Sequence, residues 1–413
     1  MQTISRLTGA AYGIHLSDQV ALVSVPLIAA LVFDASPEMI GVLVACQSMA
    51  HLVGSIPFGI LVDSIQQRNL TIAASLVSLT GFIGALVAIM LDRILVFGAS
   101  VTIAGFGVVL FVLSALSILP KISAREGLAK ANAAIEVPRA IASFVVPLLI
   151  GLYFTAVSPI LIIAVAVAAS LLALGFTSTL PAVEMQPPAS SRVYERIAVG
   201  GAFVLRHKLL LPISLCAIFW NLAFAALLVV LVPVIRQVYI MDAGAFGIGL
   251  SAFGLASILG TWVMGRFSDR IAPNLILLFG PGSSVLAALG MVLIPAGNSP
   301  MFFYACTFLL GFGPSMWLVT QNSVRQLVTP SERLGRVNAV IQTAIYGIRP
   351  LGALAGGLVA GSFGPQFGLL FVVLAYGASF LATLFSNLRS VRSYSELSLE
   401  NGHVLKDGAI MTE

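Results

Sequence analysis

Glu136 and Arg139 stand three positions apart, with Asn132 four positions before the glutamate, so a helix puts all three on one face. A carboxylate beside a guanidinium can exchange a proton or tune the binding of a charged ligand; it can also do no more than glue two helices together. Asp18 follows His15 by almost one helical turn and adjoins Gln19. Both residues can change charge as their access to water changes, which a proton-exchanging site requires. The plainer reading of Asp18 is a bond to nearby hydroxyl or backbone groups. Gln342, Tyr346 and Arg349 recur at helical spacing as a polar stripe that ends at Pro350. Arg349 suits an anionic ligand group or a carboxylate on another element. His51, with Gln47 one turn earlier, and the pair Trp220-Asn221 complete the candidates for a lined cavity. A hydrogen-bonded packing histidine and core aromatics are the alternatives there.

All of these residues lie in apolar runs. Hydrophobic residues make up 59% of the 413 positions and charged residues 9%, against about 25% charged in a soluble domain. So few charges cannot cover a soluble surface, and the chain reads as an integral membrane protein. An ionisable side chain at mid-membrane costs at least about 2.5–3.5 kcal/mol, so each of those above needs a reason to be there.

Twelve stretches are long enough to cross a bilayer: 9–33, 39–62, 70–91, 94–119, 129–154, 158–179, 209–235, 244–265, 274–296, 300–322, 336–361 and 366–388. Of the 21 Lys and Arg, 17 fall at the termini, at the even-numbered loops or in the central loop, against Arg93 and Arg236 alone on the opposite side. That asymmetry predicts both termini in the cytoplasm of a cell whose plasma (inner) membrane holds the protein. The net charge of +5 is spread over short loops and offers no nucleic-acid surface. Residues 181–208 join an N-terminal half, 1–180, to a C-terminal half, 209–388, and Tyr194 to His207 predict a basic amphipathic helix on the membrane surface. Residues 389–413 are polar, lack apolar periodicity and read as a disordered cytoplasmic tail.

The halves repeat. Gly59-x-x-x-Asp63 recurs 206 positions on as Gly265-x-x-x-Asp269, and the same offset maps Gly54 on Gly260, Asn132 on Asn338, Ile135 on Ile341, Gly151 on Gly357 and Lys130 on Arg336. Glu136 maps on Gln342, which places a polar group at one level in both halves. A duplicated membrane protein places its site at the seam between its copies.

Read in full, the first motif is Gly59-Ile-Leu61-Val-Asp63-Ser-Ile-Gln-Gln-Arg68 and the second Gly265-Arg-Phe-Ser-Asp269-Arg270. Here the chain resembles the major facilitator superfamily, whose signature between the second and third spans is Gly-x-Leu-x-Asp followed by basic residues. The openings of the fifth span, Ala129-Lys-Ala-Asn132, and of the eleventh, Arg333-Leu-Gly-Arg336-Val-Asn338, together with Asp18 and Ser36-Pro37, are similar to its twelve-helix efflux branch of macrolide and siderophore exporters. The resemblance implies an all-α fold of twelve spans in two pseudo-symmetric six-helix halves. It further implies a gating role for Gly59, Asp63, Arg68, Gly265, Asp269 and Arg270, with Asp63 facing the start of the eleventh span near Arg336. Gln66 and Gln67 replace a glycine and a basic residue of the pattern, which weakens that latch. The fourth span lacks the arginine of many drug:proton antiporters, and the fifth has Pro147 and Gly151 without the full Gly-Pro run.

The reading is a monomeric secondary transporter, with Asp18, Glu136 and His15 coupling protons to export of a small amphipathic compound. The alternatives are an importer or uniporter of sugars or organic anions, and a receptor on the same fold. Cys46, Cys216 and Cys306 are dispersed in apolar runs, with no metal spacing. No phosphate-cradling loop and no hydrolase motif is present, so neither ATP, nor any other cofactor, nor enzymatic chemistry is expected.

Overall fold

The computed structural model describes residues 2–122, 128–154, 156–181, 193–295, 297 and 299–397. Its helices are α1 (Gln2–Leu31), α2 (Pro37–Ser64), α3 (Gln67–Met90), α4 (Ile94–Ile122), α5 (Leu128–Tyr153), α6 (Pro159–Ser178), α7 (Val193–Arg206), α8 (Leu210–Pro233), α9 (Gly244–Phe267), α10 (Pro273–Val292), α11 (Pro300–Val328), α12 (Ser331–Phe363) and α13 (Pro365–Leu384). Among the described residues, eleven are long and apolar enough to cross a membrane. The twelfth long helix is α2, with 28 residues.

Local chemistry sets the helix starts. Pro37, Pro159 and Pro300 open α2, α6 and α11, and the serine before each accepts a backbone N–H: Ser36 from Met39 at 3.4 Å, Ser158 from Ile160 at 3.3 Å, Ser299 from Met301 at 3.4 Å. Proline loses nothing at a first turn, where its missing N–H has no partner anyway, and the serine oxygen satisfies one of the exposed donors. Several helices overrun the apolar stretches. α1 starts at Gln2 and α12 at Ser331, because helical hydrogen bonding continues past the hydrocarbon edge that the apolar pattern marks.

The duplication is tertiary as well. In the first half α1 packs on α5 and α6, α3 on α4 and α6, and α2 on α4. In the second, α8 packs on α12 and α13, α10 on α11 and α13, and α9 on α11. Each of these contacts of one half has its counterpart in the other. The halves meet along α2 with α12 and α5 with α9, which are again counterparts.

The helix α7 joins the second half. Its Gly200 lies on the Arg336 backbone of α12, where an added Cβ would stand 2.8 Å from the carbonyl oxygen. Val204 packs with Leu209, Leu210, Val328 and Val337, and the Arg333 guanidinium lies 5.4 Å from the Phe203 ring. The same cluster corrects the tail boundary. Residues 389–397 are not disordered: short 3-10 turns run Asn387–Ser390 and Tyr394–Glu396, and Leu388 and Val391 are fully buried. Asn274 donates its backbone N–H to the Val391 carbonyl at 2.9 Å and its side-chain amide to the Arg389 carbonyl at 3.0 Å. Two apolar side chains and two hydrogen bonds to α10 hold a segment too short to show periodicity. Residues 398–413 lie outside the described residues.

Candidate functional site

Six of the candidate side chains come from the middles of four helices. α1 supplies His15 and Asp18, α5 Glu136 and Arg139, α8 Asn221 and α12 Arg349. Pro138 interrupts α5 between its two charges, and Pro350 follows Arg349. Each proline removes one helical hydrogen bond beside the site, which membrane helices tolerate where they line a cavity.

Glu136 and Arg139 form an ion pair of 2.6 Å, the one ion pair among the described residues. Both side chains are more than half exposed. Their charges nevertheless act on His15, which is buried in α1. An exposed pair that faces a neighbouring helix lies in an opening of the bundle. Arg139 also acts on Asp18, and so does Arg349 from the other half. Asp18 and Arg349 make no ion pair with each other. Arg349 instead donates its Nε–H to the Asn221 side-chain oxygen at 3.1 Å, and its guanidinium lies 6.0 Å from the Tyr346 ring centre. Asn221 donates in turn to the Ala217 carbonyl at 2.9 Å. Just beyond, α8 and α12 are in backbone contact: an added Cβ at Gly352 would stand 2.9 Å from Leu222 Cα, and one at Gly356 2.8 Å from Ala226 Cα.

Other candidates lie elsewhere. Trp220 turns away from the charges, donating to Ser284 of α10 at 3.0 Å and stacking on Phe224 with ring centres 5.1 Å apart. Gln342 is exposed on α12. The side chain of His51 lies outside the described residues, as do those of Asp63 and Asp269. Arg68 stays within its own half and donates to the Ser178 carbonyl at 3.1 Å, next to Arg6 on the Thr179 carbonyl at 2.6 Å. Both arginines satisfy the carbonyl end of α6. Arg270 is exposed, 5.9 Å from the Phe267 ring. An added Cβ at Gly265 would meet nothing within 4 Å. No neighbouring helix closes on Gly265 here, while the halves touch at the opposite end of the molecule.

That end is closed by two glycine seams. An added Cβ at Gly41 of α2 would stand 2.8 Å from the Ala353 carbonyl oxygen and 3.1 Å from Gly357 Cα of α12. One at Gly247 of α9 would stand 2.6 Å from the Pro147 carbonyl oxygen and 2.6 Å from Gly151 Cα of α5. The 206 offset carries Gly41 to Gly247 and Gly151 to Gly357, so the seams are symmetry mates. Ser251 of α9 donates across the second seam to the Phe144 carbonyl at 3.0 Å, and the Glu38 carboxylate lies over Gly361 beside the first. The repeat offset in the sequence already pairs Gly151 with Gly357, without giving them a role; Gly41 and Gly247, related by the same offset, were missed.

Among the described residues no cluster of His, Cys, Asp and Glu could hold a metal ion. A cavity of about 200 Å³, lined mostly by apolar residues such as Val234, Met291 and Leu369, lies apart from the charges.

Two like bundles of membrane helices, with charges of both halves gathered at their centre, define a membrane transporter of two-bundle design. The sequence model of the Major Facilitator Superfamily matches residues 7–353, and the chain belongs to that family. It is 26% identical over 348 residues to the enterobactin exporter EntS of Shigella boydii serotype 4 (strain Sb227), covering 82% of each chain. To the EntS of Escherichia coli O127:H6 (strain E2348/69 / EPEC) it is 25% identical over 348 residues, again covering 82% of both. In fold it is similar to a bacterial homologue of the iron transporter ferroportin in an inward-facing state, with a TM-score of 0.74 at 12% identity over 92% of this chain and 98% of that one. It is also similar to the nucleoside transporter NupG, with a TM-score of 0.72 at 12% identity over 93% of this chain and 98% of that one.

Proposed function

We propose that the chain is a secondary active exporter of a small amphipathic, siderophore-like compound, driven by protons. The observation that carries this reading is the placement of Asp18 and Arg349, opposite charges of different halves that act on each other at mid-depth without forming an ion pair. Such a gap changes whenever the halves rock, so the protonation of Asp18 and the occupancy of the pocket are tied to the same motion. The relatives named as enterobactin exporters support the direction of transport and the kind of substrate.

With both termini in the cytoplasm, the glycine seams close the outer side and the state is open to the cytoplasm, ready to load. One charge crossing 100 mV supplies about 2.3 kcal/mol, and a tenfold solute gradient costs about 1.4 kcal/mol. One proton per cycle therefore sustains an outward gradient of a few tens-fold. The charges that act on Asp18 are Arg349 on α12 and Arg139 on α5; Arg139 and Glu136 also act on His15, and Tyr346 on Arg349.

The test uses proteoliposomes with an imposed pH gradient. Wild type concentrates radiolabelled enterobactin against its gradient. Asp18→Asn still exchanges it between equal pools but no longer concentrates it. Concentrative transport by Asp18→Asn at the wild-type rate would remove proton coupling at this residue.

A further inference from the structure

We propose that Arg349, held in place by Asn221, is the anchor for an anionic group of the transported compound. The inference rests on the exporter reading above and deepens it by naming the charge of the cargo.

Charge accounting across the pocket comes first. Glu136 and Arg139 are joined at 2.6 Å and largely cancel each other. Arg349 has no carboxylate within ion-pairing distance among the described residues. Its described polar partner is a neutral amide, Asn221, at 3.1 Å. A guanidinium at mid-membrane without an anion against it is costly. Here it faces Asp18 across a gap narrow enough for the two charges to act on each other, and a ligand anion fits the sign of that gap on the arginine side.

Geometry comes second. Arginine has five N–H donors in a rigid fork. The Nε–H is committed to Asn221, and Asn221 is itself fixed by its bond to the Ala217 carbonyl at 2.9 Å. The backbone contacts of Gly352 with Leu222 and Gly356 with Ala226 hold α8 and α12 together immediately beyond. The arginine is thus oriented before any ligand arrives, and the edge formed by its two terminal amino groups remains for bidentate contact with a carboxylate or a similar oxyanion. The Tyr346 ring, 6.0 Å away, supports the guanidinium from α12. Asn221 acts through Arg349 and is a positioning residue.

The experiment compares two probes of one shape, 2-naphthoate and the uncharged 2-naphthamide, by equilibrium binding to the full-length protein in nanodiscs and by export from proteoliposomes. Wild type is expected to favour the naphthoate by about tenfold or more, the gain that charge-assisted bidentate pairing brings. Arg349→Gln brings the preference ratio close to one, and Arg349→Lys restores part of it. Asn221→Ala lowers the ratio although every charge is retained. Asn221→Asp lowers it further, because the new carboxylate competes for the guanidinium. A merely structural role would change both affinities together and leave the ratio as it was. Thermal unfolding of each variant and its exchange of the naphthamide report folding. Equal affinity of wild type for the two probes overturns the anchor while export of either one leaves the exporter reading standing; so does a preference that survives Arg349→Gln. Absence of binding and of export for both probes overturns both readings.

Discussion

His207 shows how much of this molecule is settled by single polar atoms outside the bilayer core. Its Nδ1 accepts the backbone N–H groups of Leu209 and Leu210, each at 3.2 Å, at the start of α8. Its Nε2 is buried without a partner. Burial holds the imidazole below its ordinary value, so it stays neutral at neutral pH. The sign follows from linkage. The unfolded chain takes up the proton near pH 6.5, the ordinary histidine value, while the folded chain resists until lower pH. Stability conferred by the neutral ring is thus complete above about pH 6.5 and falls as the pH drops below it. His207→Gln is expected to lower the melting temperature at pH 7.5, where the cap is lost, and to flatten the decline toward pH 5.5. Thermal unfolding at both pH values checks this, and an unchanged slope would remove His207 as its source. At this scale the sequence displayed the charged members of the site, because ionisable residues in apolar runs are rare enough to stand out. Asn221 was visible only as a neighbour of Trp220, since an amide carries no such signal, and its bond to Arg349 depends on how α8 meets α12.

Between helices, the second half gathers the loops. The linker helix α7, the start of α12 and residues 387–397 share one apolar cluster around Leu209, Leu388 and Val391. The helix α7 is therefore part of the second half. Removing a buried leucine or valine side chain costs about 1–4 kcal/mol, depending on how the site relaxes. Leu388→Ala and Val391→Ala are each expected to destabilise the second half by roughly 2 kcal/mol, read as loss of thermal stability in detergent, with the charged pocket unaffected in its ligand preference. Gly200→Leu has no room on the Arg336 backbone and is expected to undock α7, which faster hydrogen exchange over residues 200–206 would reveal. Unchanged exchange in that variant would show that α7 is held elsewhere. The amphipathic linker was readable from its pattern. Its docking partner was not, because one apolar stripe fits lipid and protein equally well.

Over the whole molecule the duplication becomes a mechanism. The two seams are mates under the repeat, Gly41 against Gly357 and Gly247 against Gly151, and both lie at the end remote from the termini. A side chain at either seam has nowhere to go but into the backbone of the other half. Gly41→Val and Gly247→Val are therefore expected to act alike. Each keeps the sealed end ajar, and the double variant does so more strongly. With Cys46, Cys216 and Cys306 replaced by alanine and a cysteine placed at Gln19, labelling from outside by an impermeant thiol reagent reports the opening. About a tenfold faster reaction is expected in either variant, on the scale of a shift of about 1.4 kcal/mol. Variants that label at the wild-type rate, or in opposite directions, would dissolve the symmetric-gate account.

By itself the sequence determined the solvent and the duplication. Those depend on apolarity and repetition, properties that each residue carries wherever the chain runs. It also showed which residues are expensive to bury. Only the tertiary structure decided which of these costly residues meet. Asp18 and Arg349 are 331 positions apart, and the gap between them is set by how two rigid bundles lean on glycine seams. The state of the gate was hidden for the same reason: a glycine permits close contact without requiring it, and the halves touched at Gly41 and Gly247 and left Gly265 open.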